Sequence, residues 1–202
     1  RELLLGNSRF SKLQQAMPRI SPTVLNTRLK ELETDGVITK RAISGQRGHS
    51  YQLTPAGKEL APVIESLVIW GMRWARDELA DDDLDVALLM LDVERNLVAS
   101  ELSGGETVLQ FRFTDVDEYD TWWIVCDGDR RDLCYQDPGK DVSAYITATL
   151  RDLVGVWMGD IPVGAALDDE RLIIVGEAAV CKGFRKWFPL SSAAGIPRPS
   201  AA

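Results

Sequence analysis

The sequence predicts an α+β fold in two parts: an N-terminal part of helices with one β-hairpin, joined by helices to a C-terminal five-stranded sheet covered by helices. Apolar residues recur mainly at helical spacing in the first half, whereas from about Thr107 they alternate with polar residues, as in strands. The charge also divides. Residues 1–77 carry twelve Lys and Arg against seven Asp and Glu, a net +5, which leaves −13 for residues 78–202 of the total of −8. A length of 202 residues is enough for two modest domains.

The most sharply bounded element is a helix that begins at Pro22. Ser21 is a favourable N-cap, Pro22 suits the first helical position, and Gly36 can end the helix in a left-handed conformation. One stripe of this helix is apolar and is expected to pack on a core; it consists of Leu25, Leu29 and Leu32. The opposite side and its flanks carry Thr23, Asn26, Thr27, Arg28, Lys30 and Thr34. Such a face is either solvated or enters a DNA groove, where its polar groups can hydrogen-bond.

The neighbouring segments favour the DNA interpretation. A capping box from Ser11 to Gln14 predicts a short helix over 12–17, followed by a tight turn at 18–20. After Gly36, residues 37–41 and 51–53 predict a hairpin with a polar, Gly-rich tip. A helix-turn-helix followed by a basic hairpin is the winged-helix layout, and it predicts an interface with double-stranded DNA. The expected DNA-binding residues are Ser21, Thr23, Asn26, Thr27, Arg28, Lys30, Arg41, Arg47 and His49.

These segments resemble the HxlR-type winged-helix transcription regulators of bacteria over about residues 1–75. The resemblance is carried, in order, by Arg1–Gly6, Arg9–Leu13, Ile20–Leu25, Arg28–Glu33, Asp35–Ile38 and Tyr51–Gly57. It implies DNA binding and dimerisation through the terminal helices. The chain begins inside what the family pattern makes the end of a helix, so the first helix and a sensor cysteine of some members are expected to be missing. The wing tip is also richer in glycine than the usual pattern.

A long helix is predicted from Pro55 to about Leu79, with Thr54 as its N-cap. Its apolar residues cover more surface than a small wing can bury. Two partners could cover them: the missing first helix of the family pattern, or a second copy of the chain. We expect a second copy, since helix-turn-helix proteins usually bind paired half-sites as dimers. The alternative is that the C-terminal domain covers this face. The expected dimer residues are Leu60, Ile64, Leu67, Trp70 and Trp74.

The winged-helix domain with its dimerisation helix is therefore placed at residues 1–80, and residues 81–106 are predicted to connect the two domains. Asp81, Asp82 and Asp83 mark the change of charge and stand before a helix predicted over about 84–102. We interpret these carboxylates as groups that favour the N-terminus of that helix, rather than as metal ligands.

The C-terminal domain is placed at residues 107–190, with a loose tail over 191–202. Strands are predicted over about 109–113, 119–127, 131–136, 142–148 and 172–176, and helices over 150–158, 161–167 and 178–188. This order resembles sterol-carrier-protein-like domains over 107–188, on Val142–Val154, Gly159–Leu167, Arg171–Glu177 and a closing aromatic helix.

The sterol-carrier resemblance implies an apolar cavity for a lipid-like ligand. The alternative is that the same aromatic residues fill a solid core, which is their commoner use. The expected pocket residues are Trp122, Ile146, Leu153, Trp157, Phe184 and Trp187.

The remaining features argue against catalysis and against a membrane span. No nucleophile–base pair, catalytic residue or metal cluster is visible, no cofactor is expected, and the single His49 lies in the presumed wing. A two-residue turn at 128–129 would pair residue 126 with 131, so that Cys126 and Cys134 would not face each other. Three cysteines without a visible export signal favour the cytoplasm.

The sequence thus predicts a dimeric, DNA-binding transcription regulator whose C-terminal domain either binds an apolar or lipid-like effector or assists dimerisation. The alternative is a lipid-binding or carrier protein whose winged helix mediates protein contacts rather than DNA reading.

Overall fold

The computed structural model describes residues 1–17, 20–43, 45, 48–75, 80–102 and 105–197. The chain forms two compact units, one over residues 1–78 and one over residues 79–196. The α+β class is confirmed, with helices and a β-hairpin in the first unit and a five-stranded mixed sheet with helices in the second. In the described residues, no helix combines the length and the apolar character needed to span a membrane.

The N-terminal unit has the predicted winged-helix order of elements. They are α1 (Phe10–Ala16), α2 (Pro22–Thr34), β1 (Ile38–Ala42), β2 (His49–Leu53), α3 (Pro55–Glu59) and α4 (Ala61–Trp74). β1 and β2 are antiparallel, with Lys40 opposite Tyr51. The amide of Tyr51 also donates to the carbonyl of Ser8 at 2.7 Å, so the segment before α1 lies along the hairpin.

The core of this unit joins both helices of the helix-turn-helix to the hairpin. Its buried members are Leu13, Leu25, Leu29, Ile38 and Tyr51. The stripe expected on α2 is thus confirmed for Leu25 and Leu29 but not for Leu32, which is 36% exposed. Leu32 lies in the last turn of α2, where its carbonyl accepts from the amide of Val37 as the chain turns away into β1.

The capping box predicted at the start of α1 is wrong. The N-cap is Arg9, without a side-chain cap, and the helix begins at Phe10. Gln14 instead reaches across the turn, where its Nε2 donates to the carbonyl of Ile20 at 2.6 Å. The amide side chain therefore ties α1 to the residue before the cap of α2, a tertiary contact that local spacing does not reveal.

The predicted helix from Pro55 to Leu79 is divided into α3 and α4. Pro62 has no N–H and cannot bond to the carbonyl four residues earlier, so the helix is interrupted near Leu60. There the amide of Leu60 donates to the carbonyl of Gly57 at 3.3 Å, a tighter i to i−3 bond. α4 ends at Trp74, and residues 76–79 lie outside the described part of the chain.

α3 is fastened to the end of α2 by Thr54 and Gly57. The Thr54 hydroxyl donates to the carbonyls of Gly36 and Val37, at 2.7 and 3.1 Å, and accepts from the amide of Gly57 at 3.1 Å. Gly57 lies so close to β1 that a Cβ there would be 2.1 Å from the Val37 oxygen. Only glycine fits this approach without movement of the backbone.

The C-terminal unit is built on five strands in the order β5-β4-β3-β6-β7. The strands are β3 (Thr107–Phe113), β4 (Thr121–Asp127), β5 (Arg130–Cys134), β6 (Ala144–Ala148) and β7 (Leu172–Gly176). β3 and β6 are parallel and all other neighbours are antiparallel. The alternation predicted in β3 is confirmed, because Leu109, Phe111 and Phe113 are buried on the helix-covered face.

The turn between β4 and β5 has the expected register. Cys126 is opposite Arg131 and Trp123 is opposite Cys134, so the two cysteines do not face each other and both are free thiols. Burial raises the pKa of the Cys126 thiol to about 11, which keeps it protonated and unreactive near neutral pH.

The helices of this unit cover one side of the sheet. They are α5 (Val86–Asn96), α6 (Leu150–Trp157), α7 (Val163–Asp168), α8 (Ala178–Lys182) and α9 (Phe184–Trp187). The expected capping of α6 is confirmed, since Thr149 accepts from the amide of Asp152 at 3.0 Å. α6 is followed by Gly159 with a φ of +75°, as its sequence position suggested.

The segment predicted as a connecting helix over 84–102 belongs to the C-terminal core. α5 is shorter, starts after the carboxylate of Asp85 caps the amides of Ala87 and Leu88, and buries five residues against the sheet. Asp81–Asp83 form a separate 3₁₀ turn, in which Asp81 pairs with Arg151. From β5, Arg131 donates to the carbonyls of Arg95 and Leu97, at 3.2 and 2.7 Å, and so binds the end of α5 to the sheet.

The last predicted helix and the tail also differ from expectation. Gly183 separates α8 from α9, and the Trp187 indole donates back to the carbonyl of Val180 at 2.9 Å, which folds the second piece onto the first. The tail is attached over 191–196, because the amide of Ser191 donates to the carbonyl of Trp157 at 2.8 Å and a turn follows. Residues 198–202 lie outside the described range.

We expect Gly57→Ala to lower the free energy of unfolding by at least about 2 kcal/mol, because the new Cβ must displace backbone atoms of β1. Gly71→Ala is the matched control. No atom lies within 4 Å of a Cβ at this helical position, so the change should stabilise the chain by about 0.5–1 kcal/mol. Urea unfolding, followed by circular dichroism, measures the free energy of unfolding of both variants. Equal effects of the two substitutions would contradict the close approach of Gly57 to β1.

Candidate nucleic-acid interface

The candidate interface begins with the first turn of α2. The Ser21 side chain accepts a hydrogen bond from the amide of Val24 at 3.3 Å, and Pro22 occupies the first turn. Ser21 is exposed, so a partner could reach it at the expected interface. Its side-chain oxygen, however, already caps the helix. The cap fixes where α2 starts and therefore which side chains face outward.

The outer side of α2 carries the residues that the sequence places there. Thr23, Thr27, Arg28 and Lys30 are exposed, while Asn26 is half-buried. Val24 is also on this side and is 47% exposed. Sequence reasoning passed over Val24 because a valine is usually assigned to the core; the helical position relative to Leu25 and Leu29 could have revealed it.

Two of the threonine hydroxyls are directed back onto the helix. Thr27 Oγ1 donates to the carbonyl of Thr23 at 3.0 Å, and Thr34 Oγ1 donates to the carbonyl of Lys30 at 2.9 Å. Each of these protons already has an acceptor within the helix, so the hydroxyl oxygens are left to accept a hydrogen bond from outside.

Arg28 is paired along the helix with Glu31. Its Nη1 lies 2.8 Å from Glu31 Oε2, and both side chains are at least half exposed. This hydrogen bond, together with the nearby carboxylate charge, raises the pKa of Arg28. Such an exposed pair is held weakly, so the guanidinium can exchange Glu31 for a phosphate.

A groove of about 490 Å³ lies between the first turns of α2 and the hairpin. Thr23 and Asn26 line its helix side, and Lys40 and His49 line its hairpin side. The structure therefore brings Asn26 together with His49, two residues far apart in sequence that were both expected at the interface. Lys40 is an addition. It is half-buried and lies opposite Tyr51, on the same face of β1 as Ile38.

The hairpin supplies further cations. Arg41 is exposed in β1 opposite Ser50, at the end of the strand that leads to the wing tip. Arg47, which the sequence also assigns to the interface, lies outside the described residues. Together with the net +5 of residues 1–77, the described cations make this unit suited to a polyanion.

The residues expected at a dimer contact lie on α4. Leu60, Leu67, Trp70 and Trp74 are exposed by 42–60%, and Ile64 is half-buried. None of the described residues of this helix is buried. α4 therefore presents an apolar face without a partner in the monomer's own N-terminal core.

The residues expected to line a ligand cavity are buried in the core of the C-terminal unit. They are Trp122, Ile146, Leu153, Trp157, Phe184 and Trp187. Phe188, which was not among them, is the centre of the ring cluster: its ring is 4.8 Å from that of Phe184 and 5.0 Å from that of Trp157. The ring of Trp122 instead faces Tyr135, with 6.3 Å between the two ring centroids.

One polar atom in this core is unsatisfied. Within the described residues, Trp157 Nε1 is buried and has no hydrogen-bond partner, whereas Trp187 Nε1 donates to Val180. Among the described residues, no group of three or more His, Cys, Asp or Glu side chains could hold a metal ion.

The two units resemble different groups of known proteins. A family model described as HxlR-like helix-turn-helix matches residues 1–79. YvaP of Bacillus subtilis is 38% identical over 81 residues, which are 40% of this chain and 75% of that protein. YdzF of the same organism is 38% identical over 69 residues, which are 32% of this chain and 60% of that protein. Both are described as uncharacterized HTH-type transcriptional regulators.

The solved structures that resemble the C-terminal part include sterol carrier proteins. The solution structure of sterol carrier protein domain 2 of Helicoverpa armigera covers 52% of this chain and 87% of its own length. It is 14% identical, with a TM-score of 0.40.

Proposed function

The chain belongs to the HxlR-like helix-turn-helix family, and we propose that it is a transcription regulator that reads double-stranded DNA with α2 and the hairpin. The observation that carries the proposal is the groove that places Thr23 and Asn26 of α2 beside Lys40 and His49 of the hairpin, with Arg41 exposed one residue further along β1. Helix-turn-helix proteins insert the corresponding helix into the major groove, while basic side chains beside it contact phosphates.

A purely solvated helix face is the competing interpretation of α2. Solvated faces usually carry Glu and Lys pairs, but the first two turns of α2 expose Val24 and two threonines instead. The excess of acidic over basic residues lies in residues 78–202, whereas residues 1–77 carry a net charge of +5. These features favour a nucleic-acid partner for this surface.

We further propose that α4 is covered by a second copy of this chain. Leu67, Trp70 and Trp74 are 55–60% exposed and lie on one side of α4, where they form a patch of the kind that marks protein contacts rather than solvent. A dimer would also place two copies of α2 on paired half-sites, as regulators with this motif usually require.

The proposed DNA contact predicts salt-dependent binding to the chain's own promoter region, with weaker binding to random DNA. We expect Arg41→Gln to weaken both complexes about equally and to lower the salt slope by about one unit, because one phosphate contact is lost. Gel shifts over a series of salt concentrations measure both quantities.

Arg130→Gln is the matched control for Arg41→Gln, since Arg130 is an exposed strand arginine of the acidic C-terminal unit and should leave the slope unchanged. A loss confined to one DNA sequence would contradict a phosphate role for Arg41. Equal affinity of the wild type for promoter and random DNA would reject sequence reading and favour the carrier alternative.

The proposed dimer predicts that Leu67→Asp raises the dimer dissociation constant roughly thirtyfold or more, because a carboxylate is placed in an apolar contact. Ile69→Asp makes the same change about 200° around the helix and should leave the dimer intact. Sedimentation velocity distinguishes the two variants. A wild-type chain that is monomeric at micromolar concentration would rule the dimer out.

A second candidate function, an apolar ligand in the C-terminal unit, has one observation in its favour. A buried indole N–H without an acceptor costs free energy, and a ligand that carries an oxygen acceptor would satisfy Trp157. The close ring contacts around Phe188 favour a filled core, so such a ligand would have to separate those rings.

We expect Trp157→Phe to cost about 1–3 kcal/mol less in stability than Trp187→Phe, because only the second leaves the Val180 carbonyl unsatisfied. If the ligand proposal holds, titration with a long-chain fatty acid gives saturable tryptophan quenching in the wild type and weaker binding in Trp157→Phe. Absence of saturable quenching in the wild type would end the ligand proposal.

A further inference from the structure

The side of α2 opposite the core is centred on Thr27. Leu25 and Leu29 are buried, and at about 100° per residue Thr27 points away from both of them. Val24 precedes Thr27 by three residues, so the two side chains are neighbours on the helix surface. Both lie in the first half of α2, the part of a recognition helix that meets base edges.

The chemistry that Thr27 offers is set by its hydrogen bond within the helix. A hydroxyl has one proton, and Thr27 Oγ1 gives it to the carbonyl of Thr23 at 3.0 Å. What remains for a partner is the γ-methyl group and the lone pairs of the oxygen. Donation to a base acceptor would first require this internal bond to break.

Val24 extends the same apolar surface. It is 47% exposed and is not among the described residues that form or pack against the N-terminal core. Glu31, one turn after Thr27, lies 2.8 Å from Arg28, and both side chains are at least half exposed. Val24 therefore adds an aliphatic group beside the Thr27 methyl on a face whose other side chains are polar.

We infer that Val24 and Thr27 read thymine through its 5-methyl group, by apolar contact rather than by hydrogen bonding. In the major groove only thymine presents a methyl group, and threonine methyls and aliphatic side chains are suited to it. The inference rests on the proposed DNA-binding function and assigns the chemistry of its specificity. Asn26, Lys30 and the hairpin cations are left to polar contacts.

The test uses double-stranded sites that the wild type selects from a random pool, and three conservative variants. Thr27→Val keeps the branched shape and the methyl group but removes the hydroxyl, so its affinity should stay within about twofold of the wild type. Thr27→Ser keeps the hydroxyl and removes the methyl group, and should bind about fourfold more weakly. Thr34→Ser is the control, since Thr34 has the same internal hydrogen bond in the last turn of α2.

The matching change in the DNA is deoxyuridine in place of each thymidine, which deletes only the methyl group. Affinity of the wild type and of Thr27→Val should fall about fourfold at one or more positions, whereas Thr27→Ser should lose that preference. Circular dichroism of the variants checks that α2 remains folded.

Two results would overturn the inference. One is a loss of DNA affinity in Thr27→Val as large as in Thr27→Ser, which would mean that the hydroxyl group makes the specific contact. The other is a set of selected sites in which uracil replaces thymine without effect. Failure of the proposed function itself would be distinguishable, because the wild type would then select no sequence from the pool.

Discussion

The N-terminal unit depends on the close approach of Gly57 to the carbonyl of Val37. Thr54 reinforces the same point, because its hydroxyl joins the carbonyls after α2 to the first turn of α3. The end of α2, the start of β1 and the start of α3 are thereby fixed within one small region. The contact lies beside the Ile38–Leu53 pair, at the base of the hairpin. It thus joins α2 to the hairpin, the two elements that line the groove.

The recognition surface illustrates how internal hydrogen bonds change the chemistry of a side chain. A threonine in a sequence offers a donor, an acceptor and a methyl group, but Thr27 has already used its proton within the helix. Arg28 is likewise engaged, by Glu31. The surface that α2 presents is therefore more aliphatic and less charged than its composition indicates. Reading by shape and methyl contact then becomes as relevant to specificity as hydrogen bonding.

The C-terminal unit is built differently, as a sheet that is covered by helices on one side. Arg131 binds the end of α5 to β5, and Thr149 and Gly159 delimit α6 over the sheet. Phe188 gathers the aromatic rings into a single cluster, with Trp157 contributing the one unsatisfied indole. In the described residues the indole N–H of Trp157 is buried without an acceptor, whereas that of Trp187 donates to Val180.

The sequence by itself determined the division into two units, the winged-helix order, the five strands and the turn register around Cys126, because caps, turn residues and hydrophobic periodicity act over a few residues. It also determined that α2 and the hairpin are the candidate interface. Tertiary structure decided the rest. Gln14 left its predicted capping box for the carbonyl of Ile20, α5 became part of a core rather than a connector, and Phe188 became the centre of its ring cluster. The orientation of the Thr27 hydroxyl was also settled only in three dimensions. Each of these depends on which distant or neighbouring group lies within hydrogen-bonding or packing distance, and sequence spacing does not contain that information.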